Sequence, residues 1–548
     1  MQLVDTPIAP AHQRQVSASL RFIDFGRAVF GTVELELNCA CAGHVLRLHL
    51  GEKLAANGRL DRAPGATVRY REIPLKLKAG RHRYRLVIPA DARNTGARAI
   101  KMSPAIGEVL PFRYCEIEAL IGGIELLDVR QRFVHAPFDD TAAAFECSDP
   151  VLNEVWELCR HTIKATTFCG LYVDGDRERI PYEGDAYINQ LSHYCLDASY
   201  GMAQQTIDYL IEHPTWPSDW HLHMTLIAWY DFLYSGDQGR MRAHYAMLKL
   251  KTLHSLAGRN GLISAANSPA KDVLMEQLGM DGFFNEGLQD MVDWPRHDFT
   301  QNGLLGEADA YVFSPVNTAI NALHHRSLIL MARIAGHLGE VQDQQFFESR
   351  ARQVAASINQ QLFDTKRGIY VDGNATEHAS LHANFYPLLA GIVPVARQAG
   401  VLDFVKSRAM ACSVYGVQHL LDALYKCGAS DHALSLMTSK SDRSWWHMIH
   451  RVGSTMTLEA WDARYKPNLD WNHAWGAAPS NIIIRRLMGV RPAAPGFRQA
   501  IIQPQLGGLE WARAKVPTAH GSIEIEVIHA ASGKPVIECT LPDGVERV

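Results

Sequence analysis

The sequence lacks a paired cysteine motif, a long apolar run and a recognisable export signal. Its ten cysteines are scattered and none belongs to a Cys-x-x-Cys pair, which disfavours zinc sites and dense disulfide frameworks and favours reduced thiols. No apolar stretch is long enough to be a membrane-spanning helix. The first residues, MQLVDTP, show no basic region followed by an apolar one. We therefore expect a cytoplasmic protein, or a periplasmic or secreted one if a signal peptide has been trimmed.

The chain also has no basic run and little net charge. The formal net charge is −4, and 20% of the 548 residues are charged. This balance argues against nucleic acid or an anionic membrane as the main partner. A chain of this length exceeds a single hydrophobic core, so we expect two to four domains.

The spacing of apolar residues changes twice along the chain. The first 140 residues alternate between apolar and polar positions, as strands do, at 32–37, 45–50, 82–89, 113–117 and 123–129. From residue 149 to about 491 the apolar residues recur three and four apart, as in helices, with Ser148 or Asp149 as the first cap. Alternation returns at 521–528 and 535–541.

This order predicts a multidomain fold. We expect an N-terminal β-sandwich at 1–140, a central (α/α)6 barrel at 141–492 and a small C-terminal β-sandwich at 493–548. The clearest predicted helices are 225–234, 317–337, 348–362 and 480–488. About a dozen helices in sequential hairpins would build a two-layer barrel. A superhelix of repeats would look similar but is disfavoured because no fixed repeat is visible.

Two stretches rich in carboxylates stand out from this background. Residues 174–185 read DGDRERIPYEGD, and residues 455–462 read TMTLEAWD, with Asn472 and His473 shortly after. Hydrolysis of a glycosidic bond requires one carboxylic acid that protonates the leaving oxygen and a second carboxylate that activates water or attacks carbon. The pair of stretches therefore suggests a glycoside hydrolase.

Asp185 and Glu459 are the main acid–base candidates, and each has a simpler alternative. Asp185 precedes an apolar helical pattern, so it could be only a helix N-cap. Glu459 lies in an apolar, threonine-rich run, where it could only form a structural ion pair with Arg464. The other acids around Asp185 favour chemistry, since like charges held close raise at least one pKa.

Tryptophans indicate where a sugar could bind. Ten of the eleven lie between 156 and 475, and several follow polar, loop-like residues instead of a core pattern. Aromatic rings stack on the apolar faces of sugars. These loop tryptophans are Trp216, Trp220, Trp294 (after Asp293), Trp445 and Trp446. The pairs His221–His223 and His324–His325 lack an acid at helical spacing, so we predict neither a catalytic metal nor a cofactor.

The two stretches resemble glycoside hydrolase family 78, the α-L-rhamnosidases. Residues 177–185 are similar to the family's Arg-Asp/Glu-Arg-x-x-Trp-x-Gly-Asp/Glu run, and 457–462 to its Thr-x-Trp-Glu-x-Trp run. Asn472–His473 matches an Asn-His pair, and Asp293–Trp294 an Asp-Trp element. Weaker likenesses at 114–117 and 516–523 extend the resemblance over nearly the whole chain. Tyr182 and Leu458 depart from the family, which usually has Trp at both positions.

The resemblance implies an inverting exo-glycosidase that releases terminal α-L-rhamnose, or a close deoxy sugar, from a glycoside or oligosaccharide. It implies that Asp185 is the general acid and Glu459 the general base, with carboxyls about 6.5–9.5 Å apart. Asp174, Arg177, Glu178, Asp293, Trp294 and His473, with Trp220 and Trp446, would bind the sugar. Two alternatives stay open: another (α/α)6 glycosidase or lyase acting on a different sugar, and a non-catalytic carbohydrate-binding protein.

Overall fold

The structure is a computed structural model that describes residues 2–65, 67–280, 282–283, 287–295, 307–529 and 535–548. The chain divides into two compact units, and neither is continuous in sequence. Unit 1 comprises residues 1–138, 157–181 and 445–477. Unit 2 comprises residues 139–156, 182–444 and 478–548.

An antiparallel sheet dominates unit 1, as the alternation predicts. Its strands follow the order β1-β8-β3-β7-β4-β5, and β2 and β6 pair with the long strand β3. Alternate residues of β3 and β4 point into a core of leucine, valine and isoleucine. The strands are β1 (Val4–Ile8), β2 (His12–Ser17), β3 (Leu20–Cys39), β4 (Val45–Gly51), β5 (Tyr70–Lys76), β6 (Gly80–Arg85), β7 (Leu110–Glu118) and β8 (Ile124–His135).

The two later segments of unit 1 complete a second core beside this sheet. Phe30 of β3 stacks on Phe168, with ring centroids 3.8 Å apart, and Met456 joins the same cluster. Thr457 N donates to Thr162 Oγ1 at 2.9 Å, so the segment 445–477 is bonded to the segment 157–181. Unit 1 is therefore completed by chain that follows the sheet by more than 300 residues.

Unit 2 is mainly helical. Six of its helices contact one another in a closed ring, in the order α2, α4, α8, α10, α12, α15 and back to α2. The helices are α1 (Pro150–Ala165, divided between the units), α2 (Glu183–Tyr194), α3 (Gly201–Glu212), α4 (Ser218–Ser235), α5 (Gly239–Ala243), α6 (Tyr245–Lys251), α7 (Lys271–Leu278), α8 (Thr318–Leu338), α9 (Val341–Gln361), α10 (Leu381–Ala390), α11 (Val395–Ser407), α12 (Val417–Lys426), α13 (Ser430–Met437), α14 (Trp445–His447, in unit 1) and α15 (Ala478–Ile482).

The helix ends agree with the predicted signals. Asp149 caps α1, because its Oδ1 accepts from Val151 N at 2.8 Å and from Leu152 N at 3.1 Å. Asn317 is the N-cap residue of α8, and Gly339 ends that helix in the left-handed conformation. No helix in the described ranges is long and apolar enough to cross a membrane.

The C-terminal strands form two small sheets within unit 2. A four-stranded sheet has the order β16-β15-β14-β9, and a three-stranded sheet has the order β12-β13-β17. The edge strand β9 of the four-stranded sheet precedes the helices in the sequence and pairs with β14. The strands are β9 (Ala144–Cys147), β10 (Phe363–Asp364), β11 (Ile369–Tyr370), β12 (Val490–Pro492), β13 (Gln499–Ile502), β14 (Trp511–Thr518), β15 (Gly521–His529), β16 (Pro535–Thr540) and β17 (Glu546–Arg547), of which β10 and β11 form a separate hairpin.

Candidate active site

The candidate residues are divided between the two units. Unit 1 carries Asp174, Arg177, Glu178, Trp446, Glu459 and His473, and unit 2 carries Asp185, Trp220, Asp293 and Trp294. Each unit builds its own set of contacts. The expected separation of the Asp185 and Glu459 carboxyls stays a prediction.

In unit 1 the loop after α1 is closed on itself by Asp174. Asp174 N donates to Ile180 O at 3.0 Å, and Asp174 Oδ1 accepts from Ile180 N at 2.9 Å. Within the loop, Asp176 Oδ1 accepts from Arg179 NH2 at 2.9 Å. Asp174, Asp176 and Arg179 are buried. The side chains of Arg177 and Glu178 are 15% and 37% exposed, so they are the loop groups that can reach a ligand.

Glu459 is a buried carboxylate matched by two cations. Its Oε1 accepts from Arg177 NH2 at 3.2 Å, and its Oε2 lies 3.2 Å from Lys466 Nζ. Burial raises the pKa of Glu459, but the nearby charges of Arg177 and Lys466 outweigh it and lower the pKa below its usual value. Glu459 is therefore ionised at neutral pH, as a proton acceptor must be. The ion partners are thus Arg177 and Lys466, where the sequence suggested Arg464.

His473 lies beside Glu459 and is held by a reciprocal pair of bonds to Thr457. His473 N donates to Thr457 O at 3.0 Å, and Thr457 Oγ1 donates to His473 O at 2.7 Å. One ligand atom from each of Glu459, Asp470 and His473 lies within 4.8 Å of the others. Such a trio could hold a metal ion, but the two cations already on Glu459 oppose a further positive charge.

The adjacent tryptophans of α14 have different environments. Trp445 is completely buried, and its Nε1 donates to Gly476 O at 2.7 Å. Trp446 is partly exposed and packs on the His450 ring, with centroids 4.8 Å apart. Of this pair only Trp446 is partly exposed, and its role in sugar binding stays a prediction.

In unit 2, Asp185 is the third residue of α2. The N-cap position belongs to Tyr182, which makes no side-chain capping bond. The interpretation of Asp185 as the N-cap is therefore wrong. Asp185 is 1% exposed in a helix start that also contains buried Glu183. Its position near the N-terminus favours a charged carboxylate electrostatically.

Glu183 is neutralised by a buried lysine from α6. Lys251 Nζ donates to Glu183 Oε1 at 3.0 Å, and Thr215 Oγ1 donates to Glu183 Oε2. Burial raises the pKa of Glu183, but the charges of Lys251 and His221 outweigh it and lower the pKa to about 2. Crowding therefore does not keep Glu183 protonated. Lys251 lies 68 residues away, so the loop sequence could not reveal this counter-charge.

Gly184 explains the close approach of α2 to α4. A Cβ added at Gly184 would lie 2.5 Å from Trp220 Nε1, so this position has no room for a side chain. The Trp220 ring also meets Tyr182 and Tyr415 edge to face, with centroids 5.3 and 6.1 Å apart. Trp220 is 5% exposed, so it supports the start of α2 from within an aromatic cluster.

Asp293 holds the turn that presents Trp294. Asp293 is completely buried; its Oδ2 accepts from Ser413 N at 3.0 Å and lies 2.6 Å from His382 Nε2. Its Oδ1 accepts from Trp294 N at 2.9 Å. These bonds favour an indirect role for Asp293. Trp294 is partly exposed and meets Trp216 edge to face at 6.5 Å.

Sequence reasoning missed two buried carboxyls beside these groups. Asp219, next to Trp220, is 1% exposed, and burial raises its pKa to about 7. Asp470, which binds Glu459, is equally buried. Each lies beside a tryptophan in the sequence, at Trp220 and Trp471, and that pairing was the available signal.

Three family models match the chain. The bacterial α-L-rhamnosidase six-hairpin glycosidase domain matches residues 140–487. The bacterial α-L-rhamnosidase C-terminal domain matches 489–548, and the concanavalin-like domain of the same proteins matches 14–135.

Known relatives agree with these matches. An α-L-rhamnosidase of Alteromonas sp. (strain LOR) is 24% identical over 417 residues, covering 71% of this chain and 42% of the relative. A second, from Formosa agariphila (strain DSM 15362 / KCTC 12365 / LMG 23005 / KMM 3901 / M-2Alg 35-1), is 21% identical and covers 92% of this chain and 52% of its own. The chain thus spans about half, or less, of the length of the curated relatives it matches.

Solved structures share the fold. The Streptomyces avermitilis α-L-rhamnosidase, complexed with L-rhamnose, superposes with a TM-score of 0.75 at 18% identity, covering 100% of this chain and 50% of that one. The Klebsiella oxytoca rhamnosidase, with rhamnose bound, gives 0.65 at 15% identity, covering 89% and 96%. Because the glycosidase-domain model spans most of the chain, this protein belongs to the bacterial α-L-rhamnosidase family, as the sequence resemblance predicted.

Proposed function

We propose that this protein is an inverting exo-glycosidase that releases terminal α-L-rhamnose, or a close deoxy sugar, from glycosides or oligosaccharides. The observation that carries the proposal is the state of Glu459, a buried carboxylate kept ionised by Arg177 and Lys466. A buried carboxylate that is ionised at neutral pH and held in place has the protonation state that a general base needs. The names of the relatives, and the rhamnose in two of their structures, supply the sugar class.

The proposed architecture is an (α/α)6 barrel carrying this chemistry. The closed ring of six helices in unit 2 would form the inner layer of such a barrel, and helices α3, α9, α11 and α13, which contact members of the ring, would belong to the outer layer. Asp185 and Trp220 lie in the first turns of two ring helices, α2 and α4. Residues at one end of a helical ring can converge on a single pocket.

The proposed roles separate the two carboxyls. Asp185 acts as general acid and protonates the leaving oxygen, while Glu459 takes a proton from the attacking water. Arg177, Glu178 and His473 bind sugar hydroxyls, and Asp174, predicted to bind them as well, closes the loop that carries Arg177 and Glu178. Trp294 and Trp446 provide ring faces for the sugar. Asp293 holds the turn that carries Trp294, and Trp220 supports the start of α2.

Activity measurements test the class and the roles together. Aryl α-L-rhamnoside should be hydrolysed in preference to other aryl glycosides. Asp185→Asn and Glu459→Gln should each lower the rate about 10²- to 10⁴-fold on a substrate with a poor leaving group. Asp403→Asn, an exposed residue on α11, is the matched control and should keep full activity. Wild-type turnover by either folded variant would remove that residue from the mechanism.

The stereochemistry of the first product tests the inverting mechanism. If Glu459 activates water directly, an α-substrate gives the β-sugar first, and no glycosyl-enzyme accumulates. Following the anomeric proton by NMR in early turnover measures this. An α-sugar appearing first would contradict inversion. No turnover of any glycoside would instead support a carbohydrate-binding protein.

A further inference from the structure

Asp470 is a buried acid that the mechanism above does not use, and it is bonded to both Glu459 and Arg177. Asp470 N donates to Glu459 Oε2 at 3.1 Å, and Asp470 O accepts from Glu459 N at 3.1 Å. Its side-chain Oδ2 accepts from Arg177 N at 3.3 Å. Asp470 thus contacts the proposed base and the backbone of the arginine that keeps the base charged.

The other oxygen of Asp470 is held by the sheet domain. Thr67 Oγ1 lies 2.7 Å from Asp470 Oδ1 and also 2.7 Å from Leu469 O. A hydroxyl has one proton and can donate to only one acceptor at a time. Thr67 therefore donates either to the Asp470 carboxyl or to the Leu469 carbonyl, and both acceptors belong to the segment that carries Asp470.

We propose that Asp470 is a positioning residue for Glu459 and Arg177, oriented by Thr67, so that the N-terminal sheet domain takes part in building the site. The inference rests on the proposed role of Glu459 as base. Asp470 contacts Glu459 through its backbone N and O, and contacts Arg177 N through its carboxyl. Burial and the charge of Glu459 raise the pKa of Asp470, while the charge of Arg177 and the bond from Thr67 oppose this shift.

The same stretch of the sheet domain also holds the loop 174–180. Asn472 Oδ1 accepts from Asp176 N at 2.9 Å, and Asn472 Nδ2 donates to Glu52 Oε1 at 3.1 Å. Arg69 NH2 donates to Asp176 O at 2.7 Å, and Arg69 N donates to Glu52 Oε2 at 2.8 Å. Glu52 and Arg69 therefore hold both the loop 174–180 and Asn472. These bonds argue against a purely accessory role for the N-terminal sheet domain.

Packing around Gly175 shows how closely these loops approach. A Cβ at Gly175 would lie 2.9 Å from Asp470 Oδ2 and 3.1 Å from Asn472 Oδ1. The Asp470 carboxyl oxygen and the Asn472 amide oxygen therefore face the backbone of the loop at Gly175 directly. This arrangement leaves Arg177 N in place to donate to Asp470.

Paired substitutions at Thr67 test the proposal. Thr67→Val keeps the shape but removes the hydroxyl, and should lower kcat roughly 3- to 10-fold with little change in KM, the loss of one hydrogen bond. Thr67→Ser should restore most of the activity. The acidic limb of kcat/KM should move to higher pH in Thr67→Val, because a looser Arg177 contact no longer lowers the pKa of Glu459 as far. Asp470→Ala should change both quantities in the same direction and further.

The matched control is Thr32→Val in β3. Thr32 is buried in the same unit, and its hydroxyl also donates to a backbone carbonyl, Leu86 O, at 2.7 Å. Thr32→Val should lower the melting temperature without changing kcat or the acidic limb of kcat/KM. Thr67→Val behaving like this control, while Glu459→Gln is inactive, would overturn the inference and leave the proposed function intact. Active Glu459→Gln would instead contradict the proposed function. Loss of activity in EDTA, restored by a divalent cation, would reassign the trio as a metal site.

Discussion

At the scale of single residues, the buried carboxyls of this protein are of two kinds. Some have a cation in contact, as Glu183 has Lys251 and Asp422 has Arg485 and Arg486. Others have none in direct contact, and burial then raises the pKa, as in Asp219 and Glu52. The first kind is ionised at neutral pH, whereas the second changes charge within the working pH range.

Asp219→Asn should reveal this difference in a stability measurement. The folded pKa of about 7 lies above the unfolded value near 4, so stability is greatest at low pH and declines as pH rises from about 4 to 7. A shift of this size corresponds to a penalty on the order of 2 to 4 kcal/mol at pH 8. Asparagine carries no charge, so the variant should gain melting temperature relative to wild type between pH 5 and 8.

Asp403→Asn is the control for this measurement, because Asp403 is exposed and its carboxylate stays in contact with water. A gain for Asp219→Asn that stays constant from pH 5 to 8 would show that Asp219 does not titrate in this interval.

At the scale of elements, the start of α2 depends on a position without a side chain. Gly184→Ala places a methyl group 2.5 Å from Trp220 Nε1, and overpacking of this kind costs about 1–3 kcal/mol. We expect a lower free energy of unfolding in denaturant and reduced kcat, because the indole and the first turn carrying Asp185 must move apart.

Gly400→Ala is the matched control within α11. A Cβ there would meet nothing within 4 Å, and alanine in a helix is favoured over glycine by about 0.5–1 kcal/mol. The two substitutions should therefore change stability in opposite directions. Equal, small effects at both positions would mean that the Gly184 contact is not tight in solution.

Periodicity predicts the elements well, because it reflects local burial. The predicted strands of the first domain overlap observed strands, although β1, β2 and β5 have no predicted counterpart. The predicted helix 317–337 corresponds to α8, whereas α9 begins at Val341, before the predicted 348. Strand β6 ends at Arg85, short of the predicted 89. The pattern could not reveal that β9 joins the C-terminal sheet, since that pairing links residues 144 and 515.

The sequence predicts the candidate site with the same limit: local motifs are visible, but contacts between distant segments are not. Acids in short motifs are visible in the sequence, but their partners are not. Lys251 for Glu183, and Thr67 for Asp470, come from distant segments and carry no local signal. Asn472, of the Asn-His pair, binds Asp176 and Glu52, which also come from distant segments.

At the scale of the whole molecule, domain boundaries in sequence are not boundaries of folding. The fragment 1–138 contains the entire first sheet but lacks Phe168 and Met456, which complete the core around Phe30. Removing one buried aromatic side chain costs about 3–5 kcal/mol. We expect this fragment to show no cooperative thermal transition by circular dichroism, whereas the full chain unfolds cooperatively. A dispersed NMR spectrum from the fragment would contradict this expectation.

Because unit 1 is built from three separate segments of the chain, its parts become available at different times during synthesis. The ribosome releases the first sheet early, but Met456 and the segment around Glu459 emerge only after some 300 further residues have been translated. Until then the faces of Phe30 and Phe168 have no complete core, and the nascent sheet exposes apolar surface. We therefore expect unit 1 to stay incomplete for most of the time that it takes to make this protein.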